Sequence, residues 1–438
     1  MGGILEEVAR RGGLDLAATE MAIRAGMLKL GGSILEGLLN LDAGHQGQQI
    51  ECGSGHQAGF VSYRSKDVVT VLAPVKLRRA YYHCGQCHQG RVPRDEELDV
   101  VGSSLSPGVR RMASRVGSQE AFTPGSRDLY ELAGIRLPAK QVERTAEANG
   151  ARIRAASQAE WEGLLSGQVV LCPSGPPIAK LYVTVDGTGV PTVPRETEGR
   201  RGKGEDGRAR TREVKVGCVF TQTRLDDKGQ PLRDPESSSY LAAIETAERF
   251  GPLLYAESAR RGVERAQQVI VIGDGAHWIW NVADEHFPRA TQIVDLYHAR
   301  EHVAAFANLL FAPNDPDRKP WLAARLQELD RGEVELLTER LAALLQPGPE
   351  SDAIRSLISY FDTNRERMRY AYFRQAGLFV GSGTVEAGCK TIVAQRLKRS
   401  GMRWTVRGAE SIMSLRCCEQ SGRWEEFWTR PDVQMEIA

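Results

Sequence analysis

Three acidic residues that are far apart in the sequence stand where chemistry with metal ions could take place. Asp186 and Asp274 each follow a run of apolar and β-branched residues, at 181–185 and 269–272, that predicts a buried strand. Glu386 lies in a segment of small residues that is typical of the beginning of a helix. Carboxylates are the protein ligands that Mg²⁺ prefers. Two such ions about 3.5–4 Å apart can activate the attacking oxygen and stabilise the leaving oxygen in phosphodiester cleavage.

The segment around Asp274 predicts the elements that would position these groups. Its parts are a strand, a helix and a second strand, at residues 269–272, 276–286 and 291–294. The second strand ends in Asp295 and His298. Reactive groups gather at the carboxyl ends of strands in α/β sheets, and two carboxylates and a histidine stand at two such ends here. Aspartate also ends strands simply because it suits turns, and a single histidine there is usually structural.

Two short ligand pairs bracket a β-rich segment near the N-terminus. The ligands that they predict for a tetrahedral structural zinc ion are Cys52, His56, Cys84 and Cys87. His83 and His88 are rival ligands, because each adjoins a cysteine of the second pair. An unliganded or redox-active thiol pair is the alternative interpretation.

The next segment predicts helices. A short helix at residues 129–133, a glycine turn at 134–137 and a second helix at 138–148 form the pattern of a helix-turn-helix. Lys140 and Arg144 on the second helix are residue types that contact phosphates or base edges. Any small helical bundle gives the same pattern, so that DNA contact and packing are equally good interpretations.

Six segments follow one another along nearly the whole chain: RRAYYHCGQCHQG, VTVDGTGVP, VIGDGAHWIWN, DLYHAREH, GSGTVEAGCK and GMRWTVRGAESIMSLR. In these segments the chain resembles bacterial insertion-sequence transposases of the ISKra type, a branch of the DDE superfamily with an RNase H-like fold. The resemblance implies that Asp186, Asp274 and Glu386 hold two Mg²⁺ or Mn²⁺ ions. It matches Asp295 and His298 to a D-x-x-H motif of relatives with a helical insertion before the final Glu, and we add His298 to the catalytic residues.

The implied activity is hydrolysis of a phosphodiester at the end of the element, followed by attack of the freed 3′-hydroxyl on target DNA. The implied partners are double-stranded DNA, as element terminal repeats and as target, and further copies of the chain in a homo-oligomer on DNA. The implied location is the bacterial cytoplasm, in association with the nucleoid.

Basic residues near the acidic positions suit a polyanionic substrate, because they offset the phosphate charge. The residues predicted to contact DNA are Lys140, Arg144, Arg200, Arg201, Lys390, Arg396, Lys398 and Trp278. Arg200 and Arg201 belong to a Gly- and Arg-rich loop that contacts a nucleic-acid backbone or is simply solvated. Trp278 follows Asp274 closely and is suited to stacking on an unpaired base, although most tryptophans in helices simply pack.

The fold predicted for the chain is a multi-domain α/β protein. An RNase H-like mixed sheet with an all-α insertion follows a small zinc-binding β module and a helix-turn-helix-like region. The predicted parts are a helical arm for packing or oligomerisation (1–45), the zinc-ribbon-like module (46–102), the DNA-binding region (103–165), the first part of the catalytic core (166–298), the all-α insertion (299–380) and the C-terminal helices of the core (381–438). We expect two helices in the arm, divided at one of two Gly-Gly pairs, and one helix at residues 241–261.

Composition excludes some classes of protein. The formal net charge of the 438 residues is +1, so that any affinity for DNA must come from local patches. Glu6 and Glu7 stand where a secretory signal would be basic and then apolar. The longest uncharged stretch is broken by prolines, so that we expect no membrane span.

Two other functions fit part of the pattern. Asp-Gly-Thr occurs in aspartyl-phosphate phosphohydrolases, but Thr184 occupies the position of their nucleophile, which argues against that class of metal-dependent phosphohydrolase. A non-catalytic, zinc-containing DNA-binding protein would use the cysteine module and the helix-turn-helix alone. Nicking of DNA that depends on a divalent metal distinguishes the enzyme from such a non-catalytic DNA-binding protein.

Overall fold

The computed structural model describes residues 15–169, 175–202, 207–344 and 351–429. The chain divides into two compact units, which we call the N-terminal unit (Met1–Asn149 with Glu426–Ala438) and the sheet unit (Gly150–Glu425). The prediction of a multi-domain α/β protein with a mixed sheet and many helices is confirmed. No helix in the described ranges is long and apolar enough to cross a membrane.

The N-terminal unit begins with one long helix and a four-stranded antiparallel sheet. The elements are α1 (Leu16–Leu39), β1 (Gln49–Glu51), β2 (Gln57–Val69), β3 (Pro74–His83), β4 (Gly90–Arg91) and α2 (Pro93–Glu97). Of the two Gly-Gly pairs expected to divide the arm, Gly31-Gly32 does not, because α1 continues through it, and Gly12-Gly13 lies outside the described residues. A Cβ on Gly32 would lie 2.6 Å from the Cβ of Ala73, so that glycine is needed there for close packing. Residues 4–14 of the predicted first helix lie outside the described residues.

Three further helices follow in the chain, α3 (Pro107–Gln119), α4 (Phe122–Ala133) and α5 (Ala139–Leu165). Gly134 ends α4 in the left-handed conformation with φ of 73°, as a glycine after a helix commonly does. Residues 122–125, which include Pro124, form the first turn of α4. Pro124 is tolerated because the first turn of a helix has no intrahelical partners for its N–H groups.

The sheet unit contains a five-stranded sheet and a small separate hairpin. The strands are β5 (Ile178–Pro191), β6 (Thr211–Gln222), β7 (Arg224–Leu225), β8 (Pro231–Leu232), β9 (Ser239–Ala243), β10 (Ala266–Gly273) and β11 (Thr291–Val294). The order in the five-stranded sheet is β11-β10-β5-β6-β9, and β7 pairs with β8 in the hairpin. β5, β10 and β11 are parallel, whereas β6 and β9 run antiparallel to their neighbours. Residues 181–185 of β5 are all buried, as expected for the central strand of a covered sheet.

Helices cover this sheet and fill the space between Asp295 and Glu386 in the sequence. They are α6 (Ala247–Arg260), α7 (His277–His286), α8 (Leu296–Leu310), α9 (Arg318–Arg331), α10 (Val334–Ala343), α11 (Ser351–Asn364), α12 (Tyr370–Gln375), α13 (Gly383–Gly388), α14 (Gln395–Leu397), α15 (Val406–Gln420) and α16 (Trp424–Thr429). The helix predicted at residues 241–261 begins only at Ala247. Its first predicted residues belong to edge strand β9, because pairing with β6 outweighs local helical preference.

Candidate functional site

The parallel pairing of β5 with β10 places Asp186 and Asp274 side by side. Thr184 is in register with Ile272, and each acid lies two residues further along its strand. Both acids are therefore at the same edge of the sheet. Burial raises the pKa of Asp186, and the negative charge of Asp274 raises it further. The two carboxylates are thus electrostatic neighbours in a partly desolvated position.

Backbone amides orient both carboxylates. The N–H of Gly187 donates to Asp186 Oδ1 at 2.7 Å, and the N–H of Ala276 donates to Asp274 Oδ1 at 2.9 Å. Gly275 lies between Asp274 and Ala276 with φ of 101°, a conformation that glycine adopts at low cost. Asp274 is therefore oriented by the turn that follows β10, whereas Asp186 lies within β5, which continues to Pro191 instead of ending at the acid as expected.

Glu386 reaches the same region from α13. Cys389 lies three residues later, about one helical turn, and its Sγ donates to Asp186 Oδ2 at 3.3 Å. Burial raises the pKa of the Cys389 thiol, and the charges of Asp186 and Glu386 raise it further. The thiol therefore lies between Asp186 of β5 and the helix that bears the third acid. Residues 389–394 form a π-helical turn, a feature that is frequent at functional sites.

Asp295 connects two of these elements through its buried carboxylate, which is 2% exposed. Its Oδ1 accepts a hydrogen bond from the N–H of His298 at 2.7 Å and so caps the N-terminus of α8. Its Oδ2 accepts a hydrogen bond from the N–H of Ser382, the residue before α13. Both oxygens therefore accept from backbone donors, and the arrangement holds the Glu386 helix against the end of β11. We call this arrangement the Asp295 clamp.

A side chain of helix α11, in the segment between Asp295 and Glu386, contacts the backbone at Asp274. The hydroxyl of Tyr360 on α11 donates to the backbone oxygen of Asp274 at 2.9 Å. The Tyr360 ring stacks on His302, with 4.0 Å between ring centroids. The indole N–H of Trp280 donates to Asn364 Oδ1 at 3.0 Å and anchors the same helix. The helices inserted before Glu386 therefore buttress the strand end that carries Asp274.

His298 lies on the first turn of α8 beside the acids. Its charge lowers the pKa of Asp186, although burial outweighs this effect. His298 Nδ1 is 3.6 Å from Glu301 Oε2, and the His298 and His302 rings meet edge to face at 5.1 Å. The two residues of the D-x-x-H motif, Asp295 and His298, therefore have different environments. Asp295 is buried in the framework, whereas His298 is half-buried and faces the charged region.

The three acids offer only oxygen donors, which fit a hard cation, and the Cys389 thiol lies beside them on Asp186 Oδ2. Burial and like charge disfavour two ionised carboxylates at this position, and a cation would relieve both effects. The described residues contain one group of His, Cys, Asp or Glu side chains whose ligand atoms all lie within 4.8 Å of one another, and it is the cysteine cluster rather than the acids. The ligand atoms of the three acids therefore do not all lie within 4.8 Å of one another.

That cluster consists of the four residues predicted to bind zinc, namely Cys52, His56, Cys84 and Cys87. Two tight turns build it. The N–H of Cys52 donates to the His56 oxygen at 2.9 Å, and the N–H of His88 donates to the Cys84 oxygen at 3.0 Å. The group includes neither His83 nor His88, so that His56 is the histidine that fits.

The chemical state of the cluster also suits a soft or borderline cation. Hydrogen bonds, led by the backbone N–H of Cys87, lower the pKa of the Cys84 thiol to about 6. Nδ1 of His56 is buried and has no hydrogen-bond partner among the described residues. Two sulfurs, on Cys87 and Cys52, are 3.7 Å apart. The residues present therefore fit a tetrahedral ion of the zinc type.

The basic residues predicted to contact DNA differ in their environments. Lys398 is exposed, and its Nζ donates at 2.6 Å to the hydroxyl of Thr188, two residues after Asp186. Lys390 is also exposed. Arg396 is fully buried, with its guanidinium 4.9 Å from the centre of the Trp404 ring. The expectation that Arg396 contacts DNA is therefore corrected, because this cation packs inside the unit.

Four other predicted contacts lie on surfaces. Lys140 and Arg144 are exposed on α5, and Lys140 pairs with Glu143 at 2.8 Å. Arg200 and Arg201 are exposed in the loop before β6, and Lys203 of the same loop lies outside the described residues.

Trp278 is half-buried rather than displayed. Its ring meets Phe250 edge to face at 6.2 Å, and Nζ of Lys215 lies 4.9 Å from its centre. Packing therefore accounts for this side chain.

Sequence reasoning missed Cys389, Tyr360 and the framework role of Asp295. The spacing of Cys389 from Glu386 is a signal that was present, because residues three apart on a helix share a face. Tyr360 gives no such signal, because its contact with Asp274 spans 86 residues of sequence.

Comparisons with known proteins match parts of the chain. Residues 254–428 match the model of an uncharacterised protein family, UPF0236, and this range includes Asp274 and Glu386 but not Asp186. The "UPF0236 protein in vanSb 3'region" of Streptococcus gallolyticus is 24% identical over 135 residues, which are 31% of this chain. The chain spans only 29% of the length of that relative.

Among solved structures, the chain shows a weak likeness to the Drosophila P element transposase strand transfer complex. The TM-score is 0.30 at 9% identity, over 74% of this chain and 92% of that chain.

Proposed function

We propose that this protein is a DDE-type DNA transposase of an insertion sequence, similar to the ISKra type. The observation that supports the proposal is the register that sets Asp186 beside Asp274, with Cys389, one turn after Glu386, bonded to Asp186. The strand order, in which β5 lies between antiparallel β6 and parallel β10, supports the proposal of an RNase H-like core. The reaction class in this proposal comes from the resemblance of six ordered sequence motifs to those of ISKra-type transposases.

In this proposal Asp186, Asp274 and Glu386 hold two Mg²⁺ or Mn²⁺ ions. When bound, such ions activate the attacking oxygen and stabilise the leaving oxygen of a phosphodiester. The reaction at an element end is attack by water, which releases a 3′-hydroxyl. That hydroxyl then attacks a phosphodiester of target DNA, so that one P–O bond forms as another breaks and the protein forms no covalent intermediate.

The remaining residues of the site position these groups or meet the DNA. The Asp295 clamp fixes the N-terminus of α13 and hence the position of Glu386. Tyr360 restrains the backbone of Asp274. Lys398 presents a flexible cation beside the acids, where it would offset the phosphate charge that the carboxylates repel. His298 is placed to hydrogen-bond a phosphate oxygen or a carboxylate.

Binding of the element ends is assigned to the N-terminal unit. Lys140 and Arg144 are exposed on α5, directly after the glycine turn at Gly134. A structural Zn²⁺ held by the cysteine cluster would stabilise the neighbouring β-sheet, because structural zinc contributes folding energy directly. The proposed partner is double-stranded DNA, as terminal repeats and as target, in the bacterial cytoplasm.

The experiment compares two variants on one labelled duplex that carries an element end. Glu386→Gln keeps size but removes a charge that a hard cation needs, so that Mg²⁺- or Mn²⁺-dependent nicking should be lost while the gel shift is retained. Arg144→Ala should weaken the gel shift. Retained nicking by Glu386→Gln would contradict the assignment of the third acid. Binding without nicking by the wild type would favour the non-catalytic DNA-binding protein.

A further inference from the structure

Helix α1 has two apolar faces, and only one of them is covered within its own unit. Leu35 and Leu39 pack on the cluster of Val68, Val75 and Leu77 from β2 and β3. Gly32 contacts Ala73 on the same side, as described above. This inner face accounts for the attachment of α1 to the sheet of the N-terminal unit.

The outer face carries six large apolar side chains that are 52% to 64% exposed. They are Leu16, Ile23, Met27, Leu30, Ile34 and Leu38. At 3.6 residues per turn their directions fall within a stripe about 80° wide, roughly 130° from the centre of the inner face. Leu41, 83% exposed, continues the same line just beyond the helix. We call these residues the α1 seam.

The spacing of the seam identifies the kind of surface that fits it. From Ile23 the residues follow at intervals of four, three and four, through Met27 and Leu30 to Ile34. This alternation is the 3.5-residue repeat by which one helix packs against another in a coiled coil. A flat apolar surface or a groove for an extended peptide requires no such repeat. The narrow width of the stripe also suits one partner helix rather than several.

We propose that the α1 seam is the contact by which two copies of this chain associate, helix against helix, without DNA. A second copy brings an identical repeat, so that the two seams are complementary in length and in period. The 24 residues of α1 make a helix about 36 Å long. With a width of about 10 Å the contact covers roughly 360 Å² on each copy, less than the ~800 Å² per partner of a standard interface, as in weak or transient association. The dimer is therefore reversible and depends on protein concentration. The proposal does not depend on the catalytic assignment.

The test measures the mass of the full-length protein by sedimentation velocity and light scattering, from about 0.5 to 50 μM and without DNA. The double variant Met27→Lys with Ile34→Lys places charges in the seam. The matched control is Ala18→Lys with Ala25→Lys, which adds the same charge to exposed positions on the far side of α1. The wild type and the control should pass from monomer to dimer as concentration rises. The seam variant should associate at least about tenfold more weakly.

Circular dichroism checks that each variant keeps its helix content. If the lysine variant loses helix, Met27→Ala with Ile34→Ala replaces it, because alanine favours helix and still removes the apolar contact. A monomeric wild type, or a folded seam variant that associates as strongly as the wild type, would overturn the proposal. A wild type that dimerises only after removal of residues 1–14 would also overturn it, since that segment would then be the occupant of the seam.

Discussion

Asp274 is expected to bind a metal ion, whereas Asp295 holds two elements of the fold together, and replacement of each by alanine tests this difference. Asp295→Ala removes the Asp295 clamp. Loss of the cap on α8 costs about 1 kcal/mol. The buried N–H of Ser382, left without an acceptor, costs about 1–3 kcal/mol more. The free energy of unfolding of the sheet unit should therefore fall by about 3 kcal/mol.

The effect on the melting temperature follows from the size of the unit. At about 2–4 °C per kcal/mol, 3 kcal/mol lowers the Tm by about 6–12 °C. Asp274→Ala is the matched comparison. This substitution removes the hydrogen bond from the Ala276 N–H, but it also removes the repulsion between the carboxylates of Asp274 and Asp186. The Tm of this variant should therefore differ from that of the wild type by no more than about 3 °C.

Tryptophan fluorescence is a suitable assay, because most of the tryptophans belong to the sheet unit. They are Trp161, Trp278, Trp280, Trp321, Trp404 and Trp424. Melting is followed without added divalent metal. Asp295→Asn should resemble Asp295→Ala, since the amide keeps one acceptor and turns an N–H₂ group toward the other backbone donor. An unchanged Tm for Asp295→Ala, or an equal loss for Asp274→Ala, would refute the division of roles.

Three further outcomes are expected. Asp186→Asn should raise the Tm of the metal-free protein at pH 7, because a carboxyl whose pKa is raised by folding destabilises the folded state above that pKa. The gain in Tm should vanish as the pH falls below the ordinary pKa of 3.8, and a series of melts at different pH values measures it. Tyr360→Phe keeps the ring on His302 but loses the 2.9 Å bond to the Asp274 oxygen, so that nicking should slow several-fold with DNA binding unchanged; equal rates would remove Tyr360 from the site. Cys84→Ser should lower the zinc content and unfold the N-terminal sheet while the sheet unit keeps its Tm, as metal analysis and tryptophan-monitored melting would show; full zinc retention would contradict the ligand assignment.

The sequence predicts best the elements whose pattern is local. Strand β11 spans the predicted residues, and α7 ends at the predicted His286. The pairs at Cys52–His56 and Cys84–Cys87 also come together, because each pair forms its own turn and the antiparallel sheet joins them. The ion that they are predicted to bind stays a prediction.

The failures arise where tertiary contacts decide. Strand β9 has helix-compatible residues, and only its pairing with β6 makes it extended. The spacing of Arg396 with Lys390 and Lys398 suggested one basic surface, but α14 turns Arg396 onto Trp404. Asp295 matched a catalytic motif, whereas its burial and its two backbone donors place it in the framework. No local pattern distinguishes an acid that binds an ion from an acid that caps a helix.

The central claim is that the edge with Asp186, Asp274 and Glu386 cleaves DNA with divalent metal. The most direct measurement is the rate at which purified protein nicks a labelled duplex with an element end in Mg²⁺ or Mn²⁺, with Glu386→Gln and Arg144→Ala in parallel. The account predicts nicking by the wild type, loss of nicking with retained binding for Glu386→Gln, and weakened binding for Arg144→Ala. Nicking by Glu386→Gln at the wild-type rate would contradict it.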